Sequence, residues 1–373
     1  MEETGRRLES LDALRGFDML MIMGFSALVT KLCAVFGWGS DCWLVQQVHH
    51  VEWHGLHFQD MIFPLFLFLA GVSWPFSLEK QRARGTSPCA IRLRILKRGA
   101  ILFLLGLVYN GLLDFKFSEL VWGSVLGRIG ISWMAAALLS TFFGVRARAD
   151  IFLALMFGYW LVCLIFTAPD FPNAGNFSPE GNIGSWIDRM IMPGKLTVPG
   201  VYTNQGILGT VGGVCTAMLG VFAGELLHRR DLVGGKRVGA LLAAAAALLA
   251  AGLVIGLAFG KWSFPINKKM WSPSFVCVVG AYSTAMLALF HWIVDVKGWK
   301  GWTLFFRVIG MNSITIYLAQ KFIPFGTIAQ KLFGGLASAL PAAWSSLLFA
   351  VAYILLCWLF LFFLYRQKIF LRV

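Results

Sequence analysis

Apolar residues recur along the whole chain in runs long enough to cross about 30 Å of hydrocarbon, separated by short polar segments. The runs predict spans near 13–34, 58–78, 96–114, 122–143, 150–168, 206–227, 237–259, 273–295, 303–323 and 344–365. Ten crossings place both termini on one side. The fold class expected is therefore all-α: a polytopic membrane protein with about ten transmembrane helices and both termini cytoplasmic. No long polar linker divides the runs, so 1–373 reads as a single transmembrane domain, with an extracytoplasmic loop at 169–205. Five prolines and several Asn and Gly residues make that loop irregular, and within it Ile183 to Met192 reads as a short interfacial helix.

Composition agrees. Of 373 residues, 58% are hydrophobic and 13% charged, with 33 Phe, 15 Trp and a mean hydropathy of +0.73, far from soluble usage. The start of the chain has the basic and apolar regions of a signal peptide but no small-x-small cleavage site before a soluble domain, which favours a retained first span. No repeat is evident, and the Ala-rich run Leu241 to Ala251 reads as a close-packing helix face.

The net charge of +14 raises the question of nucleic acid, yet the basic residues occupy short segments between apolar runs with no aromatic platform, so no nucleic-acid partner is expected. Counted by loop, 22 Lys and Arg fall on the side of the termini and 9 on the other, with Arg128 inside a span. The positive-inside rule then puts the termini in the cytoplasm. Seven scattered cysteines show no ligand spacing; Cys33 and Cys42 share a loop and would pair if it faces an oxidising compartment.

Four of six histidines lie in His49-His50-Val51-Glu52-Trp53-His54-Gly55-Leu56-His57, just before Asp60 and an apolar run. Ionisable groups at the mouth of a span mark a functional site. A helix through this stretch would put His50, His54 and His57 on one face beside Asp60. A histidine next to a carboxylate is prepared as a general base, so His50 or His54 with Asp60 is a candidate pair. Two other readings stand beside it: interfacial anchoring, and a metal site from the i, i+4 spacing of His50 and His54. Val51 stands where a zincin would carry Glu and no remote ligand set presents itself, so no metal is expected.

Other polar positions fall in or near spans. Asp12 and Arg15 pair structurally; Arg98 and Arg128 either pair with carboxylates or bind an anionic ligand on the basic face. Asn267 and Lys268 form a polar turn on the far side, and Asn312 is either a packing amide or part of a polar pocket.

Together, Leu11-Asp12-Ala13-Leu14-Arg15-Gly16, His50-Val51-Glu52-Trp53-His54-Gly55 with Asp60, Leu126-Gly127-Arg128, Ile187-Asp188-Arg189, Gly206-Ile207-Leu208-Gly209-Thr210, Pro265-Ile266-Asn267-Lys268-Lys269 and Gly310-Met311-Asn312-Ser313 resemble the heparan-alpha-glucosaminide N-acetyltransferase family in order along nearly the whole chain. The resemblance implies a transmembrane N-acetyltransferase that moves an acetyl group from cytosolic acetyl-CoA to the amino group of a glucosamine-like sugar on the opposite face. It also implies a homodimer and His50 as the catalytic histidine, which either deprotonates the acceptor amine within a ternary complex or carries the acetyl group itself. On this reading Asp60 orients His50, Arg98 and Arg128 bind CoA phosphates, and His54, Asn267, Lys268 and Asn312 contact substrate.

Two departures stand out. Thr203-Asn204-Gln205-Gly206 replaces an acidic segment of the family, and His54 replaces an Asn. Only a few residues precede the first span, so no counterpart of the large lumenal domain of the family's lysosomal enzyme is expected, and a bacterial cytoplasmic membrane is the expected location. The alternative function is a proton-coupled amino-sugar transporter with the His/Asp cluster as its relay.

Overall fold

The computed structural model describes residues 8–229 and 231–371; Arg6, Arg7, Arg230 and Arg372 of the charge tally lie outside them. Among the described residues the chain is all-α. Its helices are α1 Glu9–Leu20, α2 Ser26–Val35, α3 Trp43–Gln47, α4 Phe58–Ala83, α5 Pro88–Tyr109, α6 Val125–Phe142, α7 Val145–Ile165, α8 Ile183–Ile191, α9 Gly209–His228, α10 Gly235–Leu253, α11 Pro273–Phe290, α12 Thr303–Met311, α13 Ser313–Phe322, α14 Phe325–Ser338 and α15 Ala342–Arg366.

Eight helical stretches among these residues are long and apolar enough to cross a membrane. They coincide with eight of the expected spans. The span expected at 96–114 is the second half of α5, which starts earlier because Ser87 caps Ala90 N at 3.3 Å and Pro88 occupies the first turn. Arg92, Arg94, Lys97 and Arg98 fill its first half, and no acidic residue of the helix offsets them. The span expected at 303–323 divides at Asn312, whose backbone (φ −126°, ψ 31°) leaves the helical region between α12 and α13. Helix α14 was not anticipated. The predicted interfacial segment is α8, started by Asn182 Oδ1 accepting from Ser185 N at 2.8 Å.

The chain groups into two compact units: one holds the chain up to Val51, His57–Ile62 and the chain from Met286, the other Glu52–Leu56 and Phe63–Ala285. In the first, α1 packs on α12 at backbone distance. A Cβ on Gly16 would fall 1.8 Å from the Phe306 carbonyl oxygen, and one on Gly310 would fall 2.1 Å from that of Asp12. A π-turn at Met21–Phe25, where Gly24 has φ +123°, joins α1 to α2. Met19, Met23, Val308, Ile309, Ile316, Cys357 and Leu361 close the core around them. On α15, Val351, Leu355, Leu359 and Phe363 recur every fourth residue and are each about half exposed, a stripe of hydrocarbon suited to lipid contact.

In the second unit α4 and α9 share a glycine seam. Added Cβ atoms would lie 2.2 Å from Ala217 O at Gly71, 2.1 Å from Phe68 O at Gly220 and 2.4 Å from Val72 O at Gly224. Small residues let helix backbones meet where no hydrophobic effect drives them together. The 169–205 loop is pinned through Arg189. Its Nε and Nη2 donate to Asp170 Oδ2 and Oδ1, both at 2.7 Å, while Nη1 donates to Val201 O at 2.6 Å and Nη2 also to Glu180 O at 2.9 Å.

Candidate active site

From Val48 to His57 the chain has no regular structure. His50, His54 and His57 therefore do not share a helix face, which corrects the sequence expectation. The physical reason lies in Gly55, at φ +115°, a conformation that leaves the helical region and suits glycine. Asp60, in the first turn of α4, gathers the segment instead. Its Oδ2 accepts from Val51 N at 3.3 Å and His57 N at 3.1 Å, and its Oδ1 lies 2.8 Å from His50 Nδ1.

Asp60 is only 1% exposed whereas the His50 side chain is 49% exposed. A carboxylate only accepts, so it holds the hydrogen of His50 on Nδ1 and directs the ring's basic lone pair to Nε2. The buried acid is fixed by two backbone amides while the ring it orients reaches solvent. Neighbouring histidines are committed elsewhere: His49 Nδ1 to Val45 O at 2.7 Å and His57 Nδ1 to His49 O at 3.0 Å. Helix α3 supports this arrangement, since Gln47 Oε1 accepts from Phe58 N at 3.0 Å and thereby caps α4.

In the second unit His54 meets Asn267. The amide Nδ2 donates to His54 Nδ1 at 3.2 Å, while Asn267 Oδ1 accepts from Met270 N at 2.8 Å. Fully buried Asn267 thus closes the 265–272 turn and holds His54 at once. Burial pushes the imidazole below its ordinary value, against an opposing pull from the Phe177 carbonyl. Trp53 Nε1 donates to the same carbonyl at 2.7 Å, and Gly55 N donates to Ile266 O at 2.9 Å. Lys268 is half-buried beside Asn267 in that turn.

Arg128 lies one turn into α6, 3% exposed, and donates from Nη2 to Gly206 O at 3.0 Å. Its Cζ stands 5.0 Å over the Trp271 ring. Gly206 and Asp188 lie beside it, whereas the basic residues Arg146 and Arg148 follow the far end of α6, roughly 20 Å along the helix axis. Arg128 thus stands at the end of α6 opposite to Arg146 and Arg148.

Arg128 Nε and Nη1 have no hydrogen-bond partner within the structure, and its nearby countercharge is Asp188. Burial raises the Asp188 carboxyl to about 6, offset in part by the Ile207 N–H that donates to Oδ1 at 2.9 Å and by Arg128 and Arg189. Sequence reasoning quoted Asp188 within a motif without giving it a role; no spacing links it to Arg128, 60 positions away.

Arg98 stacks its guanidinium 4.2 Å over Trp133, which meets Trp74 edge to face at 5.5 Å. Trp74 lines a cavity of about 310 Å³ with Leu78, Glu79, Arg82, Ser140 and Glu225. Both acids there have partners, the Arg148 guanidinium for Glu225 at 2.8 Å and the His228 imidazole for Glu79 at 2.9 Å. In the first unit Asp12 and Arg15 form the expected pair, at 3.7 Å. The amide of buried Asn312 donates to Ile369 O at 3.1 Å and its Oδ1 accepts from Thr315 at 3.3 Å, so it secures the α12–α13 break to the C-terminal segment.

A second histidine–aspartate pair was missed. His291 Nδ1 lies 2.9 Å from Asp295 Oδ2, which also accepts from Ser10. The i, i+4 spacing was legible, but the pair sits at the end of a run read only as a span.

A family model described as Domain of unknown function (DUF5009) matches residues 7–112. The chain is 26% identical over 369 residues to human heparan-alpha-glucosaminide N-acetyltransferase, covering 84% of this chain and 53% of that protein. For the mouse protein of the same name the identity is 25% over 373 residues, covering 85% and 54%. The chain spans about half the length of the curated relatives it matches. The similarity runs over most of this chain's own length, and the resemblance expected from the sequence is borne out.

Proposed function

We propose that this protein is a transmembrane N-acetyltransferase that takes the acetyl group of acetyl-CoA and delivers it to the amino group of a glucosamine-like sugar at the extracytoplasmic face. The observation that carries the reading is the orientation of half-exposed His50 by fully buried Asp60 at 2.8 Å, together with similarity to relatives named for that activity. An amine attacks a thioester only when neutral. His50 Nε2 takes the amine proton as the nitrogen bonds to the acetyl carbon, the tetrahedral centre collapses, and the CoA thiolate leaves and is protonated. Asp60 keeps the ring in the required tautomer and stabilises the imidazolium that forms.

On the acceptor side, His54, Asn267 and Lys268 supply polar groups held by the 265–272 turn. On the donor side, the cavity beside Trp74 supplies Arg82 to meet the phosphates of CoA, and Arg98, behind Trp133 and Trp74, adds positive charge to that end. Asn312 and the Asp12–Arg15 pair act structurally in this scheme, and Arg128 holds the loop entering α9.

The test is to incubate purified protein and a His50→Ala variant with acetyl-CoA and glucosamine, following free thiol and acetylated sugar together. Stoichiometric formation of both by the wild type, and of neither by the variant, is the expected result. Uptake of labelled sugar into vesicles without acetyl-CoA, and no thiol release with any amino sugar, would replace the transferase by the carrier.

A further inference from the structure

The basic first half of α5 runs alongside α6, and the contacts between the two helices fix its depth. A Cβ on Gly99 would fall 2.7 Å from Met134 Sδ, and one on Gly130 would fall 2.8 Å from the Gly99 carbonyl oxygen. Arg92 Cζ lies 4.1 Å over the ring of Phe142, the last residue of α6. Arg98 instead stacks on Trp133, which lies about 13 Å further into α6 at the rise of a helix. Helix α6 is long and apolar enough to cross a membrane. Arg94 and Lys97, between Arg92 and Arg98 on the neighbouring helix, therefore lie at the depth of a bilayer leaflet and not in water beyond it.

Arg94 and Lys97 are exposed, and Leu93, Leu96 and Leu104 on the same side of α5 are 65%, 45% and 54% exposed. Cations and hydrocarbon thus share one outward face. Among the described residues no carboxylate pairs with Arg92, Arg94 or Lys97. Arg92 Nε is buried without a hydrogen-bond partner, and Arg94 Nη1 donates to the neutral amide of Gln81 at 3.0 Å. A cation at membrane depth is costly without an anion beside it. A second copy of the chain docked about a two-fold axis would bring the same cations face to face, whereas a phospholipid brings a phosphate and acyl chains to the same face. We propose that α5 binds an anionic phospholipid of the cytoplasmic leaflet, its headgroup phosphate held by Arg94 and Lys97 and an acyl chain laid along Leu93, Leu96 and Leu104.

The direction of the helix suits this. Side chains of an α-helix lean toward its N-terminus, and the distribution of Lys and Arg puts the N-terminus of α5 on the cytoplasmic side. Arg94 and Lys97 therefore reach outward to the headgroup layer with their stems along apolar surface, while the leucines extend from them toward the bilayer centre. The cytoplasmic leaflet is also where anionic lipids attract basic segments. Arg98, turned inward on Trp133, is no part of this face and stays with the cavity beside Trp74.

The test titrates the full chain in detergent with phosphatidylglycerol or phosphatidylcholine of the same acyl chains, counting bound lipid by native mass spectrometry and following the thermal unfolding midpoint. The wild type should bind phosphatidylglycerol in preference and be raised in midpoint by that lipid alone. An Arg94→Gln, Lys97→Gln variant should bind it roughly thirtyfold more weakly, at about a tenth of the affinity or less for two lost charges near the surface, with phosphatidylcholine binding unchanged. An Arg84→Gln, Arg146→Gln variant, which removes as many exposed cations from the same side of the membrane, should keep the wild-type affinity. Equal affinity of the wild type for both lipids, equal losses in the two variants, or displacement of phosphatidylglycerol by excess acetyl-CoA would overturn the proposal. None of these readouts depends on acetyl transfer, so their failure is distinct from failure of the transferase reading.

Discussion

Two histidine–aspartate pairs occur in the same unit, and in both the ring turns Nδ1 toward the carboxylate, at 2.8 Å for His50 and Asp60 and 2.9 Å for His291 and Asp295. Their surroundings are opposite. At the first the acid is 1% exposed and the ring 49%; at the second the ring is 5% exposed and the acid 17%. An acid sealed behind an accessible imidazole can orient a base that meets substrate. An imidazole sealed behind its acid, with Nε2 buried and without a hydrogen-bond partner, ties α1 to the end of α11 through Ser10 and Asp295. Similar distances thus leave one ring open to solvent and seal the other, and on the proposed function only the open ring can meet a substrate.

The largest expected effect falls on the first pair. His50→Ala should lower the rate of thiol release by about 10²- to 10⁴-fold while leaving the unfolding midpoint nearly unchanged; His291→Ala should leave the rate within about threefold. Steady-state kinetics on both variants would break the comparison if the two losses were alike. Next, Asp60→Asn should reduce the rate by roughly 10²-fold, because an amide leaves the ring in the wrong tautomer. It should also change the pH–rate profile, which a purely structural role would not move.

Asp188 supplies a carboxylate control that no histidine orients. Its folded-state value near 6 exceeds that of an exposed carboxyl, so between about pH 4 and 6 the folded chain holds a proton that the unfolded chain has released. Wild type should therefore gain stability relative to Asp188→Asn as pH falls across that window, by on the order of 3 kcal/mol at most, and the two should run parallel above about pH 7. Denaturation of both proteins across the range checks the sign. Smallest is the cost of the sealed pair: Asp295→Asn should destabilise by about 1–3 kcal/mol, the usual effect of weakening a buried charged hydrogen bond. Its thiol-release rate should match wild type at temperatures where both are folded.

The membrane architecture was legible because a span must be almost uniformly apolar over some twenty residues, and stretches such as Phe58–Ala83 satisfy that without tertiary help. The break at Asn312 was not legible, since its side-chain partner Ile369 lies 57 positions on. The proximity of His50 to Asp60 could be read from the short separation, although the helix drawn through it was wrong: two backbone amides and Gly55 make a loop do what a helix face was expected to do. Arg128 was legible as an arginine inside a span, but its meeting with Asp188 and Gly206 depends on packing between α6, α8 and the entry to α9, for which no local pattern exists.

The glycine seam between α4 and α9 sets a limit on how this protein can be redesigned. Gly71, Gly220 and Gly224 each face a backbone carbonyl closer than any side-chain carbon tolerates, and a carbonyl, unlike a rotamer, has nowhere to turn. A library randomised at these three codons and selected for folded protein should return glycine at all three. The surface of α10 or α15 can be rewritten freely among lipophilic residues, while the seam admits one letter of the amino-acid alphabet.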